Sequence, residues 1–202
     1  MNASTARTTR LLGIALAAGA LALTGCSMSP GDHGGASTAG EDAPFNDADV
    51  TFAQGMIPHH EQAIEMAQLS DGRAADPGIT DLAARIEAAQ APELDTLTSW
   101  LGDWGVDAED GGGHGAGMEH DSGSMGIMGP EDMDALAAAS GAGFDELFLE
   151  QMIEHHEGAV SMAETEVADG EFPGALEMAE SIRTTQNEEI AEMEQLLAEI
   201  DG

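Results

Sequence analysis

A stretch of sixteen residues occurs twice in this chain, and that repetition limits the fold more than any other feature. The first copy, Phe52 to Ala67, reads FAQGMIPHHEQAIEMA; the second, Phe148 to Ala163, reads FLEQMIEHHEGAVSMA. The offset of 96 residues continues without a gap. Pro77-Gly78 meets Pro173-Gly174, Ile86 meets Ile182, Gln90 meets Gln186, Glu93 meets Glu189 and Leu101 meets Leu197. Sixteen of fifty aligned pairs are identical, about four times what composition supplies, so the chain carries a duplicated structural unit.

Within each copy the apolar positions follow a helical period. Phe52, Met56, His59, His60, Ala63, Met66 and Ala67 share one arc of a helical wheel, widened by Ile57 and Ile64. Gln54, Pro58, Glu61, Gln62 and Glu65 point away or lie at its edge. Asn46 or Asp47 is placed to cap this helix. Pro58 predicts a kink or a lost backbone hydrogen bond near the His pair, whereas the second copy has Glu154 there and should run straighter. Asp71-Gly72 and Asp76-Pro77-Gly78 end the first helix and open another, apolar at Ile79, Leu82, Ala83, Ile86, Leu94, Leu97, Trp100 and Leu101. Gly102 to Gly105 closes it. The second half repeats the plan, with a helix from about Phe144 to Val167, a turn, and a helix to Ile200. A lone helical hairpin cannot bury its apolar face. Two facing hairpins make an all-α four-helix bundle with approximate two-fold symmetry.

The ends and the connection differ in character from the repeats. Residues 1–25 read as a signal peptide, with Arg7 and Arg10 before an apolar run too short for a convincing membrane span. Leu23-Thr24-Gly25-Cys26 resembles the lipobox of bacterial lipoproteins, which implies cleavage before Cys26 and lipidation of its sulfur. The expected location is the cell envelope, outside the cytoplasmic membrane, with a lipid anchor as the membrane contact. Cys26 is the only cysteine, so no intramolecular disulfide forms and the core or a metal must hold the fold. Residues 26–45 read as a tether to a domain at 46–202. That domain divides into a first repeat (46–104), a Gly-rich linker (105–130) and a second repeat (131–202) that opens with a short helix near Glu131 to Ala139. Beyond residue 26 three arginines face 39 acidic residues, a formal charge of −36. Such a field excludes a nucleic-acid partner and concentrates cations, but it does not by itself build a metal site.

Chemistry concentrates on the repeated arc. Four imidazoles, His59, His60, His155 and His156, fall in one bundle interior, where each ring nitrogen needs a partner. A metal ion is one solution and a hydrogen-bonded polar cluster is the other. Met56 and Met152 stand one turn before the His pairs, where di-iron bundles place Glu, and Met66 and Met162 follow on the same arc. Thioethers suit Cu(I) and imidazoles accept both Cu(I) and Cu(II), so the donor set favours copper over oxygen-activating iron. The partner helices bring Gln90 and Glu93, repeated as Gln186 and Glu189, onto apolar faces together with Met193. These groups can orient the rings, bind the metal directly, or form a metal-free ladder. The linker adds His114, Met118, His120, Met125 and Met128 as a second set of candidate ligands, or as an ordinary spacer.

The pattern His-His-Glu-x-Ala-(Ile/Val)-x-Met-Ala, followed by Gln-x-x-Glu-(Leu/Ile), resembles domain-of-unknown-function family 305, some of whose members are CopM-like copper-binding proteins. It covers residues 46 to 201 in both copies. The resemblance implies a ferritin-like bundle, an extracytoplasmic location, and a role in copper binding or tolerance with a copper donor or acceptor protein as partner. It carries the Met, His, Gln and Glu positions named above onto this chain. One departure is that Leu97 stands where the second half has Met193, so a site using that Met would be one-sided. Three functions remain: a copper buffer or chaperone doing no covalent chemistry, a ferritin-like metal-dependent oxidoreductase, and a metal-free structural or interaction module. The chain has no Gly-x-Ser-x-Gly, no phosphate-binding Gly loop, no Cys cluster and no His-Glu-x-x-His.

Overall fold

Five helices account for the duplicated region in a computed structural model that describes residues 44–108 and 125–200. The signal peptide, Cys26 and the linker residues His114, Met118 and His120 lie outside the described residues. Helix α1 spans Asp47–Gln68, α2 Pro77–Trp104, α3 Pro130–Ala138, α4 Ala142–Asp169 and α5 Pro173–Ile200. Among the described residues no helix is long and apolar enough to cross a membrane.

Capping chemistry, more than apolar periodicity, sets where the helices begin and end. The Asn46 side chain accepts from the Ala48 and Asp49 amides, and the Asp49 carboxylate accepts from the Asn46 amide, a capping box. Asp76 caps α2 through the Gly78 amide, with Pro77 in its first turn. Gly105 ends α2 at φ 70°, a left-handed conformation that costs glycine little. Helix α4 is longer at both ends than its apolar arc because Gly141 and Gly170 mark its limits. Helix α1 continues through Pro58, whose ring lies at an exposed position, and α2 continues through Pro92 in the same way.

The core falls into two apolar clusters with the His pairs between them. One holds Ala63, Met66, Ile79, Leu82, Ile86, Phe144, Phe148, Leu149, Met152 and Met193. The other holds Phe52, Met56, Ile57, Leu97, Leu101, Ala159, Ala163, Ala179 and Ile182. Along α1 the chain passes from the second cluster through His59-His60 to the first; along α4 it passes from the first through His155-His156 to the second. Helices α1 and α4 therefore run in opposite senses, as do the partners within each hairpin. This order leaves α2 ending near one cluster and α4 beginning near the other. The connection must travel the length of the bundle, as in four-helix folds with one long crossover.

That passage corrects one expectation. The linker reads as a spacer or a loose set of ligands outside the core, yet Met128 is buried in the first cluster and Gly126 is buried too. Its backbone can be buried because Gln62 satisfies both polar groups of Met128, donating to its carbonyl at 2.9 Å and accepting from its amide at 2.7 Å. Phe45, assigned to the tether, stacks on Trp104 with ring centroids 4.4 Å apart.

Two buried aspartates join the hairpins reciprocally. Asp49 on α1 accepts from the Glu171 and Phe172 amides in the turn before α5. Asp145 on α4 accepts from the Ala75 and Asp76 amides in the turn before α2. Both the aspartates and the amides they receive are separated by the repeat offset. Because each buried carboxylate serves two turn amides, Asp49→Ala or Asp145→Ala should each lower unfolding free energy by about 2–3 kcal/mol, measured by urea denaturation.

The second half adds a buried carboxyl, Glu166, where the first has Ser70. Burial, and then the neighbouring Asp49, push Glu166 up from 4.5 to about 8. Between those values the unfolded chain has released this proton and the folded chain keeps it, so stability falls as pH rises through the window. Glu166→Gln should flatten this alkaline decline in denaturation midpoint. An unchanged pH profile would show that the group titrates normally.

Candidate metal centre

The layer between the two apolar clusters is polar on all four long helices. Helix α1 contributes His59 and His60, and α4 contributes His155 and His156, all four rings fully buried. Helix α2 contributes Gln90 and Glu93, and α5 contributes Gln186 and Glu189, at the same height between the clusters. The rings of His59 and His155 meet across the α1–α4 contact with centroids 3.7 Å apart.

The pairing within the layer follows the repeat. His60 Nε2 lies 2.8 Å from Glu93 Oε2, and His156 Nε2 lies 2.8 Å from Glu189 Oε2. A carboxylate only accepts, so both rings carry Nε2–H and direct it to Glu. His59 Nε2 meets the Met125 carbonyl oxygen at 3.1 Å, which imposes the same tautomer. In all three rings Nδ1 is buried without a hydrogen-bond partner, and in His155 both nitrogens are. Both polar atoms of Gln90 and Oε1 of Gln186 share that condition. Each such atom costs about 1–3 kcal/mol, so their concentration in one layer is not explained by stability.

Protonation does not relieve these atoms. Burial, and then the neighbouring His60, lower His59 from 6.5 to about 3; burial, and then His59, hold His155 well below its ordinary value. Both rings are neutral near pH 7 and keep a nitrogen lone pair. Below about 6.5 the unfolded chain takes a proton at His59 that the folded chain refuses until about 3, so acid destabilises the fold.

The donor set fits a soft or borderline cation. Neutral imidazole nitrogens are available, and Met56, Met66 and Met152 are buried in the apolar clusters bordering the layer, with Met162 partly buried against the second. No group of three His, Cys, Asp or Glu among the described residues forms a ready-made metal centre. Glu61 and Glu157 are exposed, as expected for the rim. Met193 is buried in the first cluster opposite its repeat counterpart Leu97 in the second. Of the linker candidates, Met128 packs in the core and Met125 exposes its side chain while its carbonyl reaches His59.

Sequence reasoning missed Asp49, Asp145, Glu166 and the Met125 carbonyl. The aspartates had a signal: they lie in register three residues before Phe52 and Phe148. A backbone carbonyl has none.

A duplicated pair of helical hairpins closing on a buried imidazole layer defines a recognisable class of bundle. The chain belongs to the family described as domain of unknown function DUF305, which it matches over residues 49–197. It resembles a DUF305 fragment from Deinococcus radiodurans, with 29% identity and a TM-score of 0.68 over 77% of this chain and 99% of that one. A DUF305 protein from Streptomyces coelicolor, described as secreted, is 28% identical with a TM-score of 0.67, over 77% and 94% of the two chains. CopM in its Cu(I)-bound form is 30% identical with a TM-score of 0.62, over 76% and 98%; CopM is also known in Cu(II)-bound and Ag-bound forms. No curated protein sequence matches the chain.

His155 gives the sharpest local test, since neither ring nitrogen has a partner. His155→Leu, close in volume, should raise the stability of the metal-free protein by about 1 kcal/mol in urea denaturation. A loss of stability would show that the ring is satisfied within the fold.

Proposed function

We propose that this protein binds copper outside the cytoplasmic membrane, held there by a lipid on Cys26, and buffers the ion or passes it to a partner protein. The observation that carries the reading is the layer of buried imidazoles with nitrogen atoms left over. Such an interior is costly to build and suited to accepting a cation. In this reading His59, His60, His155 and His156 supply the first ligands, with Met56, Met66, Met152 and Met162 as soft donors beside them. Glu93 and Glu189 hold the rings of His60 and His156 in one tautomer, with Nδ1 free, and so act as orienting groups. The copper-bound and silver-bound CopM relatives support the same choice of metal.

The oxidoreductase reading requires Glu93 and Glu189 as metal ligands, and each already has an oxygen committed to a His. The metal-free module leaves the imidazole nitrogens unexplained. Loading of untagged protein with Cu(I), followed by elemental analysis, should find tightly held copper and little iron. Changing all four His to Ala should abolish it, whereas replacing Met125 and Met128 should not. Copper retained by the four-His variant would move the site to the linker. Stoichiometric iron would instead favour the oxidoreductase.

A further inference from the structure

The repeat breaks its own symmetry beside the imidazole layer, at positions that serve one segment. Gln62 in the first copy corresponds to Gly158 in the second. Gln62 clamps the Met128 backbone by two hydrogen bonds. Gly158 leaves room for the chain at Met125 and Gly126, since a Cβ there would collide with the Met125 carbonyl. Gly126, at φ 71°, lies so close to the Glu154 and His155 backbone that a Cβ on it would collide as well. The carbonyl admitted by Gly158 is the one that receives His59 Nε2–H.

We propose that Met125–Gly129 is a one-sided strap that gates the imidazole layer. Docked, it sets the His59 tautomer and closes the layer from one side; lifted, it admits or releases a soft cation. This rests on the layer being the metal site. Topology supplies the reason for its position, because the crossover from α2 to α4 must pass the middle of the bundle. Two clamp hydrogen bonds and close glycine packing hold it there, a combination strong enough to keep it docked and weak enough to open locally. The pseudo-symmetric partner of His59 shows what the strap adds: His155 receives no carbonyl from the strap, and neither of its nitrogens makes a well-formed hydrogen bond.

Three measurements test the strap, two of them on metal-free protein. Gly158→Ala displaces the strap by collision, and Gln62→Ala releases it by removing the clamp. Gly143→Ala is the control, since nothing lies near a Cβ there. In both strap variants, hydrogen exchange at the Met128 amide should rise by about tenfold or more. Nitrogen NMR should show the His59 proton no longer confined to Nε2. Silver(I), a redox-inert probe, should transfer to a chelator about tenfold faster with its bound stoichiometry unchanged.

Strap amides that exchange faster while silver leaves at the wild-type rate would overturn the gate. Amides still protected in both variants would overturn the clamp, and the gate with it. If wild-type protein held no silver, the copper reading and the gate would fall together, while exchange and tautomer would still report whether the strap orients His59.

Discussion

A polar layer set between two apolar clusters is the constraint around which this bundle is arranged. Fully buried side chains such as Leu82, Ile86, Phe144 and Phe148 each contribute about 1.5–3 kcal/mol, so two clusters built of them can support a costly interior between them. The His–Glu pairs limit that cost by giving His60 and His156 a charged acceptor apiece. What they leave unsatisfied is Nδ1 of each ring. Stability and unsatisfied polar groups therefore compete within one layer, and the apolar clusters on either side settle that competition in favour of folding.

The duplicated halves are not interchangeable, and the differences have physical causes. The described part of the crossover, residues 125–141, packs against one repeat differently from the other, so equivalent positions in the two repeats meet different surroundings. Gln151, whose counterpart is Gly55, donates to the Asp132 carbonyl in α3, and Arg73 donates to the Ala137 carbonyl. Residues that depart from the repeat thus hold the passing chain, while those that keep it form the layer and the aspartate contacts to the turns. Two-fold symmetry governs the interior and the connection governs the exterior.

Much of this could be read from the sequence, because hydropathy at a helical period reports burial directly and a fixed offset pairs the halves. His59, His60, Gln90, Glu93 and their repeats were placed together on that basis, and the structure brings them together. Other features carry no such signal. Asp49 and Asp145 are buried polar side chains, and a pattern traced from the first apolar residue begins three positions too late to include them. Gln62 was placed at the rim because its side chain is polar, although its partner is a backbone segment that sequence cannot locate. Glycine in the linker suggests a spacer, but at Gly126 it permits close contact between main chains. Met128 reads as a candidate ligand, but its thioether side chain anchors the segment in a core.

The exchanged aspartate contacts bear on where such a chain came from. A single ancestral hairpin could not have finished its own turn, because the carboxylate that receives the turn amides belongs to the opposite half. An isolated hairpin of this kind would be complete only as a homodimer, each copy lending its acid to the other. Linking two such units in one chain turns what would be a dimer's interface into an interior.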